Sequence, residues 1–507
     1  MVSSEAETVG LESTPVLAGS RSGVSFVADN LVAFALRVFS IRAATRTLDL
    51  QYYHWEEDIT GRLLIWEVLR AAERGVRVRL LLDDLYVRAN ESRLATLSQH
   101  RLIEVRLFNP FQVRSWGAMG SALEFLFASY RVNHRMHNKL WIVDGALMIG
   151  GGRNIGDPYF DASSQFNFRD LDLAITGAAV SQASALFDRF WTNRRVRPIE
   201  RVAVTHLRPS GLEELAGLEE LAGLEELAGL EELAGLEELA GLEELGRLLD
   251  DAASAEEARA YLRRLDTLPG LTELLEANAI PVSADKVRIV GDPPGKRLGR
   301  RRAPGVLNAV RNAIGLAQRR VLLISPYFVP GRRGCRLLTS LLRRGVKISI
   351  LTNSLAATDV LAVHGGYARY RRRLLRAGVA LHELKRGGQE GHSLFGSGGA
   401  SLHTKAFVVD DEMTFVGSFN LDPRSANLNT EMGTFVEDRA LADRLRKEFQ
   451  RLTDPDRSWL VTSEGGRLAW SGGVEHEMRV LHTEPDTSLI RRVLARVFGW
   501  LPIEPHL

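Results

Sequence analysis

One pattern occurs twice in this chain of 507 residues, and it constrains the possible folds more than any other feature. It reads H-x-K-x4-D-x6-G-[GS]-x-N, with the same spacing in both copies. The matched residues are His137, Lys139, Asp144 and Asn154 in the first copy and His403, Lys405, Asp410 and Asn420 in the second. Two such copies predict two similar halves, each bringing one motif to a shared site.

The residue types in the motif are suited to binding and cleaving a phosphodiester. On a strand, residues two apart point to the same face, so each His is expected beside its Lys. An ammonium next to an imidazole disfavours a metal ion but favours an anion, and Lys and Asn both donate hydrogen bonds to phosphate oxygens. The Gly-[Gly/Ser] step allows close approach of the backbone to the ligand. We therefore expect Lys139, Lys405, Asn154 and Asn420 to bind phosphate.

The histidines supply the chemistry if the two copies converge. One imidazole would attack phosphorus and be held covalently, while the other would protonate the leaving alkoxide and then deprotonate the incoming hydroxyl. This scheme needs no metal and no cofactor. The near-symmetry of the copies leaves open whether His137 or His403 attacks. Asp144 and Asp410, five residues beyond each Lys, are expected to face away from phosphate and to have a structural role.

The paired motifs resemble those of the phospholipase D superfamily. Their flanks, including LDLQYYHWEEDITGRLL, ISPYFVPG and GSFNLDPRSANLNTEMG, are similar to bacterial cardiolipin synthases, most of all the C-type subgroup. The resemblance implies that Asp144 and Asp410 count with the catalytic motif. It also implies an acidic residue after each copy that orients an active-site His: Glu431 in the second copy, and Asp170, five residues further along, in the first. It makes His137 the nucleophile and His403 the acid/base.

Strand and helix patterns alternate as β-α-β in both halves, which predicts an α/β fold. We expect two phospholipase D-like halves, each a mixed, mostly parallel sheet flanked by helices, with a helical, low-complexity insertion between them. The expected divisions are a mobile N-terminus at 1–25, a first half at 26–206, an insertion at 207–285, a second half at 286–475 and an amphipathic tail at 476–507.

The insertion contains five copies of the hexamer GLEELA from Gly211, closed by GLEELG at Gly246. Leu recurs every three residues, so the apolar positions drift around a helix and form no continuous stripe. Glycine in every hexamer also disfavours helix. The repeat predicts a solvated, partly helical spacer, with a partner-binding arm as the alternative.

Charge and hydropathy point to a surface partner. Residues 211–246 hold twelve Glu and no Lys or Arg, so the net charge of +2 leaves +14 on the rest of the chain. No apolar run reaches the roughly 18 residues that span a bilayer, and no secretory signal is apparent. A basic run at 295–305 is either a solvated loop or a lipid headgroup site. The tail at 488–502 is either an interfacial helix or a helix whose apolar face docks on the core. The single cysteine, Cys335, is expected to be a packed residue.

The motif residues predict an enzyme that acts on phosphodiesters. The resemblance implies a phosphatidyltransferase that makes cardiolipin from phosphatidylglycerol and a second phospholipid through a phosphatidyl-histidine. Its expected partners are phospholipid substrates and an anionic membrane surface, without nucleic acid. Its expected place is peripheral, at the cytoplasmic side of a bacterial inner membrane. The alternatives are a phospholipase D-type hydrolase, a metal-independent nuclease of the same superfamily and a non-catalytic membrane-binding scaffold.

Overall fold

The computed structural model describes residues 21–87, 90–111, 129–202, 241–277, 279–296, 305–387, 400–474, 477–501 and 504. Residues 1–20, the hexamers at 211–240 and residues 297–304 of the basic run lie outside this part of the chain. The predictions made for those three segments therefore stay predictions.

Strands alternate with helices along the described residues. The strands are β1 (Arg21–Val27), β2 (Thr47–Tyr52), β3 (Arg77–Asp83), β4 (Ile103–Phe108), β5 (Leu140–Val143), β6 (Leu147–Gly151), β7 (Asn167–Arg169), β8 (Asp172–Gly177), β9 (Val196–Pro198), β10 (Ala279–Ser283), β11 (Val287–Gly291), β12 (Arg320–Ile324), β13 (Lys347–Asn353), β14 (Ala380–Leu384), β15 (Ala400–Leu402), β16 (Ala406–Val409), β17 (Met413–Gly417), β18 (Met432–Glu437), β19 (Ser458–Glu464), β20 (Arg467–Val474) and β21 (Glu477–Leu481). The helices are α1 (Asn30–Ala43), α2 (Ile59–Glu73), α3 (Glu91–Ser98), α4 (Ser129–Asn133), α5 (Val180–Trp191), α6 (Glu256–Leu265), α7 (Leu271–Glu276), α8 (Val306–Gly315), α9 (Gly331–Arg343), α10 (Leu361–Ala377), α11 (Pro423–Asn427), α12 (Arg439–Leu452) and α13 (Leu489–Trp500).

The two halves repeat one sheet. The order β8-β6-β5-β2-β3-β4 in the first half matches β18-β17-β16-β12-β13-β14 in the second. Parallel pairing joins β2, β3 and β4, and likewise β12, β13 and β14, because helices connect these strands. The other pairs described within these two sheets are antiparallel. The two-half α/β fold is thus confirmed, whereas the expectation of mostly parallel sheets is wrong.

The sheets pack in layers. Along β5, Trp141 and Val143 enter a core shared with α1 and α2, while Leu140 and Ile142 enter a central core between the halves. Along β16, Val408 enters the same central core, and alternate residues of that strand join a third core under α8, α9 and α10. This period-two alternation is what buries a sheet on both faces. The central core brings the two motif-bearing strands to one interface.

Local signals at helix ends behave as the sequence predicts. Asp29 caps α1 by accepting a hydrogen bond from the Val32 amide, at 2.8 Å. Gly75 follows α2 and Gly345 follows α9, with φ of 104° and 85°, a conformation that favours glycine. Cys335 is fully buried in the core beneath α9, as expected of a packed residue.

Two of the expected boundaries are wrong. Strand β1 begins at Arg21, so a division at residue 25 would cut it. Strand β10 lies within the expected insertion, yet it pairs with β1 at the edge of the first sheet. Residues 241–254 are helical, and Leu245 and Leu249 are buried in the first-half core. The closing hexamer and the residues after it are therefore packed structure, not solvated spacer.

The tail also departs from its expected limits. Strand β21 extends the second sheet through β20, so the segment after residue 475 begins as part of that sheet. Helix α13 then packs on α10, where Ala495 and Gly499 are buried. Most of its large apolar side chains remain exposed, namely Leu489, Ile490, Val493, Leu494, Val497 and Trp500. The helix is thus docked through its small residues, so docking of its apolar face is wrong, and an interfacial role stays a prediction.

Candidate active site

Each motif histidine lies in an extended segment just before a central strand, not within the strand as the pattern suggested. The two segments cross to the opposite half. The amide of His137 donates to the carbonyl oxygen of Thr430 at 2.9 Å, and the amide of His403 donates to that of Arg169 at 2.8 Å. Thr430 and Arg169 immediately precede Glu431 and Asp170. The same backbone exchange therefore places an acid beside each histidine.

The acids hold the histidines across the interface between the halves. Nδ1 of His137 lies 2.9 Å from Oε2 of Glu431, and Nδ1 of His403 lies 2.6 Å from Oδ2 of Asp170. In each pair the histidine and the acid come from different halves. Neither Nε2 hydrogen-bonds to the described residues, so each ring keeps that nitrogen for a ligand. A carboxylate at Nδ1 fixes the tautomer and orients the ring.

The lysines and asparagines surround the same site. Lys139 donates to the carbonyl oxygen of His137 at 2.9 Å, and Lys405 donates to that of His403. Asn154 donates to the hydroxyl of Tyr159 at 2.8 Å, whereas the Asn420 side chain makes no hydrogen bond to the described residues. All four side chains are buried. Each ammonium keeps further N–H groups that can bind a phosphate oxygen.

Burial and mutual repulsion disfavour positive charge in the site. Burial lowers the pKa of His137 well below its usual value, and the charges of Lys139 and Lys405 lower it further. Burial and Lys405 lower the pKa of His403 to about 4, and burial lowers the pKa of Lys405 to about 8. His403 also acts electrostatically on His137 and lowers its pKa further. A bound phosphodiester would offset this repulsion.

The two acids differ in their surroundings. Burial opposes ionisation of Asp170, but the charges of Lys405 and His403 outweigh it and lower its pKa. Oδ1 of Asp170 also accepts the Leu171 amide at 2.8 Å. Burial raises the pKa of Glu431 to about 7, and its Oε1 is buried without a hydrogen-bond partner among the described residues. The second-half histidine thus has an ionised partner, and the first-half histidine has one that titrates near neutrality.

Aromatic rings form part of the wall around the histidines. Tyr53 meets His137 edge to face, with ring centroids 5.0 Å apart, and its ring lies 5.3 Å from Nζ of Lys139. Tyr159 meets His403 in the same way at 5.3 Å. These contacts restrict the rings and exclude water from their apolar sides.

The structure corrects the placement of Asp144 and Asp410 in the catalytic set. Asp144 follows β5 at φ 52°, and its carboxylate accepts the amides of residues 45–47 at 2.7–2.9 Å. Asp410 follows β16 at φ 56° and accepts the amides of residues 318–320 at 2.7–2.9 Å. Both carboxylates therefore tie a strand end to a neighbouring turn. This is the structural role expected from strand geometry, not the catalytic role implied by the family motif.

The sequence did not identify several residues that shape the site. Ser418, at the motif position interpreted only as a close approach of the backbone, donates its hydroxyl to Glu431. Gly152 holds that position in the first copy, where an added Cβ would lie 2.2 Å from Oδ1 of Asp170. The charge of Arg424 also acts on His137 and Tyr53. The signal for Ser418 and Gly152 was their place in the motif, but their contact with the acids depends on the fold.

Comparison with known proteins identifies the family of the chain. The family model described as "Cardiolipin synthase, PLD-like domain" matches residues 39–191 and 310–453. The chain is 39% identical to cardiolipin synthase C of Escherichia coli K12 over 94% of both chains. It is 25% identical to cardiolipin synthase A of Pseudomonas entomophila, over 89% of this chain and 72% of that one. The chain belongs to the phospholipase D-like cardiolipin synthase family.

The family assignment confirms the resemblance noted in the sequence and makes the chain an enzyme of the phosphatidyltransferase type. The two matched ranges fall on the two halves, each with one motif. Among solved structures, a phosphatidylserine synthase of Haemophilus influenzae shares the fold, with a TM-score of 0.57 at 14% identity over 94% of this chain and 91% of that one. None of the described helices combines the length and apolar character needed to cross a bilayer.

Proposed function

We propose that this cardiolipin synthase family member transfers a phosphatidyl group to phosphatidylglycerol through a covalent phosphatidyl-histidine, producing cardiolipin. The observation that supports the proposal most is the crossed arrangement of His137–Glu431 and His403–Asp170. It leaves two Nε2 atoms for one phosphorus, with a lysine from each half for the non-bridging oxygens. Cardiolipin synthesis, for which the family and its relative in Escherichia coli are named, indicates the lipid substrates.

In each of the two steps, one bond to phosphorus forms and one breaks. In the first, Nε2 of one histidine forms a P–N bond while the bond from phosphorus to the headgroup oxygen breaks, and the other imidazolium gives its proton to that oxygen. In the second, the neutral imidazole takes the proton of the acceptor's primary hydroxyl, whose oxygen attacks phosphorus and releases the first histidine. Phosphatidylglycerol as donor would release glycerol, and phosphatidylethanolamine would release ethanolamine. Lys139 and Lys405 offset the charge on the non-bridging oxygens throughout.

The asymmetry of the acids supports His137 as the nucleophile and His403 as the acid. An imidazolium that must form and hold a proton is stabilised by an ionised partner, and Asp170 is the carboxyl with the lowered pKa. Burial and the charges of Lys139 and Lys405 favour a neutral His137, which is the form that attacks. Tyr53, against His137, and Tyr159, against His403, would keep either ring in place during transfer.

The enzyme would work at an anionic membrane surface, peripheral to the cytoplasmic side of a bacterial inner membrane. Support comes from the +14 charge outside residues 211–246 and from the exposed apolar side chains of α13. Substrates with two or more acyl chains reside in such a surface. Each basic residue near it adds about 1 kcal/mol of attraction.

The test is transfer by purified protein on phosphatidylglycerol vesicles, with and without phosphatidylethanolamine, in EDTA, with products identified by mass spectrometry. Cardiolipin should form and should fall by about 10⁴-fold in His137→Ala and in His403→Ala. His100→Ala, a histidine outside the site, should retain activity. Phosphatidic acid as the main product would instead show a hydrolase, nicking of a plasmid without lipid turnover a nuclease, and binding without turnover a scaffold.

A further inference from the structure

A second basic site lies apart from the catalytic histidines, between α13, α10 and β20. There an open cavity of about 580 Å³ is lined by six arginines and by Glu484, the acidic residue of its wall. The arginines are Arg369, Arg371, Arg372, Arg467, Arg492 and Arg496. None of the motif residues lines this cavity. Its chemistry is therefore independent of the phosphate site already described.

Two of the six arginines are neutralised. Arg371 is buried and pairs with Glu383 at 3.0 Å and with Glu484 at 2.7 Å. Arg369 donates to backbone carbonyl groups of the tail and pairs with Glu504 at 3.3 Å. These pairs fix the floor of the cavity and one side of it. In the described part of the chain, the acidic side chains that contact the cavity arginines are Glu383, Glu484 and Glu504.

The other four arginines have no acidic partner among the described residues. Arg372, Arg467 and Arg496 are exposed. Arg492 donates through Nη2 to the carbonyl oxygen of Thr487 at 2.8 Å, and its Nε is buried without a hydrogen-bond partner. Several guanidinium groups that line one cavity without counter-charge fit a phosphate, which accepts N–H pairs of arginine in a bidentate manner. The cavity is thus built for an anion with several oxygens.

The next face of the same helix is apolar. Leu489, Ile490, Val493, Leu494, Val497, Trp500 and Leu501 are each at least 40% exposed. On α13, Arg492 and Arg496 face the cavity with Ala495 and Gly499. Trp500 lies at its edge, and the other exposed apolar residues of the helix lie on the adjoining side. An added Cβ at Gly365 of α10 would lie 2.6 Å from the Ala495 carbonyl oxygen, so the two helices pack by backbone contact. This contact fixes the basic and apolar faces relative to each other.

We propose that this cavity binds the phosphate of an anionic phospholipid outside the catalytic site, with the acyl chains along the exposed face of α13. This lipid site rests on the membrane association proposed above and gives it one specific location. A soluble phosphate compound would use the arginines but not the seven apolar side chains beside them. A phospholipid uses both surfaces at once, as interfacial helices do.

The position of α13 relates this site to catalysis. Arg491, on the same helix, donates to the carbonyl oxygens of Leu355 and Thr358 at 2.9 and 2.6 Å. The next residue, Asp359, accepts the Tyr327 hydroxyl at 2.6 Å and acts electrostatically on Lys405. A lipid held at α13 therefore keeps the loop beside the catalytic site at the membrane surface, where the substrates are.

The proposal is tested by sedimentation of the full chain with phosphatidylcholine vesicles that contain phosphatidic acid, which has no headgroup alcohol to transfer. Arg492→Gln with Arg496→Gln should weaken binding about 30-fold. The matched control, Arg311→Gln with Arg343→Gln, removes two exposed arginines outside the cavity and should weaken it by less than about threefold. Equal losses in the two pairs, or no loss in the first, would overturn the proposal.

Two further arms separate a lipid from free phosphate and from the catalytic site. Val493→Ser with Val497→Ser alters exposed residues only and should weaken vesicle binding about tenfold, with an unchanged melting temperature. Inorganic phosphate that displaces the protein from vesicles at low concentration would overturn the lipid assignment. Transfer on monomeric short-chain substrates should be unchanged in the double arginine variant and in the double valine variant. Loss of transfer in the arginine variant would mean that the cavity belongs to the catalytic site. Vesicle binding without transfer in the unmodified protein would refute the proposed function and leave this site standing.

Discussion

The two halves share a sheet order and a motif but not the surroundings of their acids. In the first half Gly152 leaves room for Asp170, which is ionised and holds His403. In the second half Ser418 donates to Glu431, whose pKa of about 7 leaves it part-protonated beside His137. The repeated sheet and motif therefore build the site, and the different surroundings of the two acids allow its histidines different roles.

The largest effect should separate the two acids. Asp170→Asn should lower kcat by about 10³-fold at every pH from 6 to 9, because Asp170 is ionised throughout that range. Glu431→Gln should cost little near pH 6, where the amide mimics the protonated acid, and progressively more as pH rises through about 7. The measurement is the ratio of unmodified to variant kcat as a function of pH. Equal losses that do not vary with pH would contradict the asymmetry.

A smaller effect is expected at the motif position that differs between the copies. Gly152→Ala places a methyl group against Oδ1 of Asp170 and should displace that carboxylate, at a cost of about 10²-fold in kcat. Ser418→Gly, the reciprocal change, loses one hydrogen bond to Glu431 and should cost less than about tenfold. Kinetics at saturating lipid, with melting temperatures as control, would compare them. A larger loss in Ser418→Gly would refute the comparison.

The second-half lysine should set an alkaline limit. Lys405 binds phosphate as a cation, and burial lowers its pKa to about 8. It is therefore charged below pH 8 and neutral above it, so kcat/KM should fall about tenfold per pH unit beyond that value. Lys405→Arg keeps its charge and should remove this limb, even if its activity is lower at pH 7. If kcat/KM of the Arg variant still falls above the same pH, the fall belongs to the titration of another group.

The smallest effect concerns the motif aspartates, which should act on stability and not on turnover. Asp144→Asn should cost about 1–3 kcal/mol of unfolding free energy, because a buried carboxylate there accepts three amides. Asp410→Asn, at a more exposed position, should cost less. Both variants should retain kcat once folded. Urea denaturation measures the first claim, and a 10²-fold loss of kcat in a stable variant would contradict the second.

The contribution of Asp410 to folding stability should also depend on pH. Burial disfavours its charge, but the amides of residues 318–320 outweigh that effect and lower its pKa. Because the pKa is lower in the folded state, the ionised carboxylate stabilises that state at pH values above the unfolded pKa near 4. This stabilisation is lost as the pH falls through the pKa of the folded state. The difference between Asp410→Asn and the unmodified protein should therefore shrink in acid.

The sequence predicted the features that depend on spacing. Equal offsets between His, Lys and Asn in the two copies predicted one shared site, and the β-α-β order predicted the halves. It failed where long-range pairing decides. No local pattern shows that β10, within the expected insertion, completes the first sheet, or that most strand pairs are antiparallel.

Roles within the site depended on the same long-range contacts. Asp170 was harder to align because it lies five residues further from its motif, yet it occupies the position across from His403 that Glu431 occupies across from His137. Nothing in the sequence indicated that the acids hold the histidine of the opposite half, because each partner is more than 200 residues away along the chain. Ser418 and Gly152 were recognised by type, and their different contacts appear only in the fold.

The most direct test of the shared site is to trap its covalent intermediate. A phosphodiester with a p-nitrophenol leaving group needs no proton from the acid, so His403→Ala should still be labelled, on the peptide that contains His137. Rapid quenching followed by peptide mass spectrometry would detect the phosphoryl group. The account predicts label on His137 in the His403→Ala variant and none in His137→Ala. Label on His403 in His137→Ala, or turnover by the unmodified protein with no labelled histidine, would contradict it.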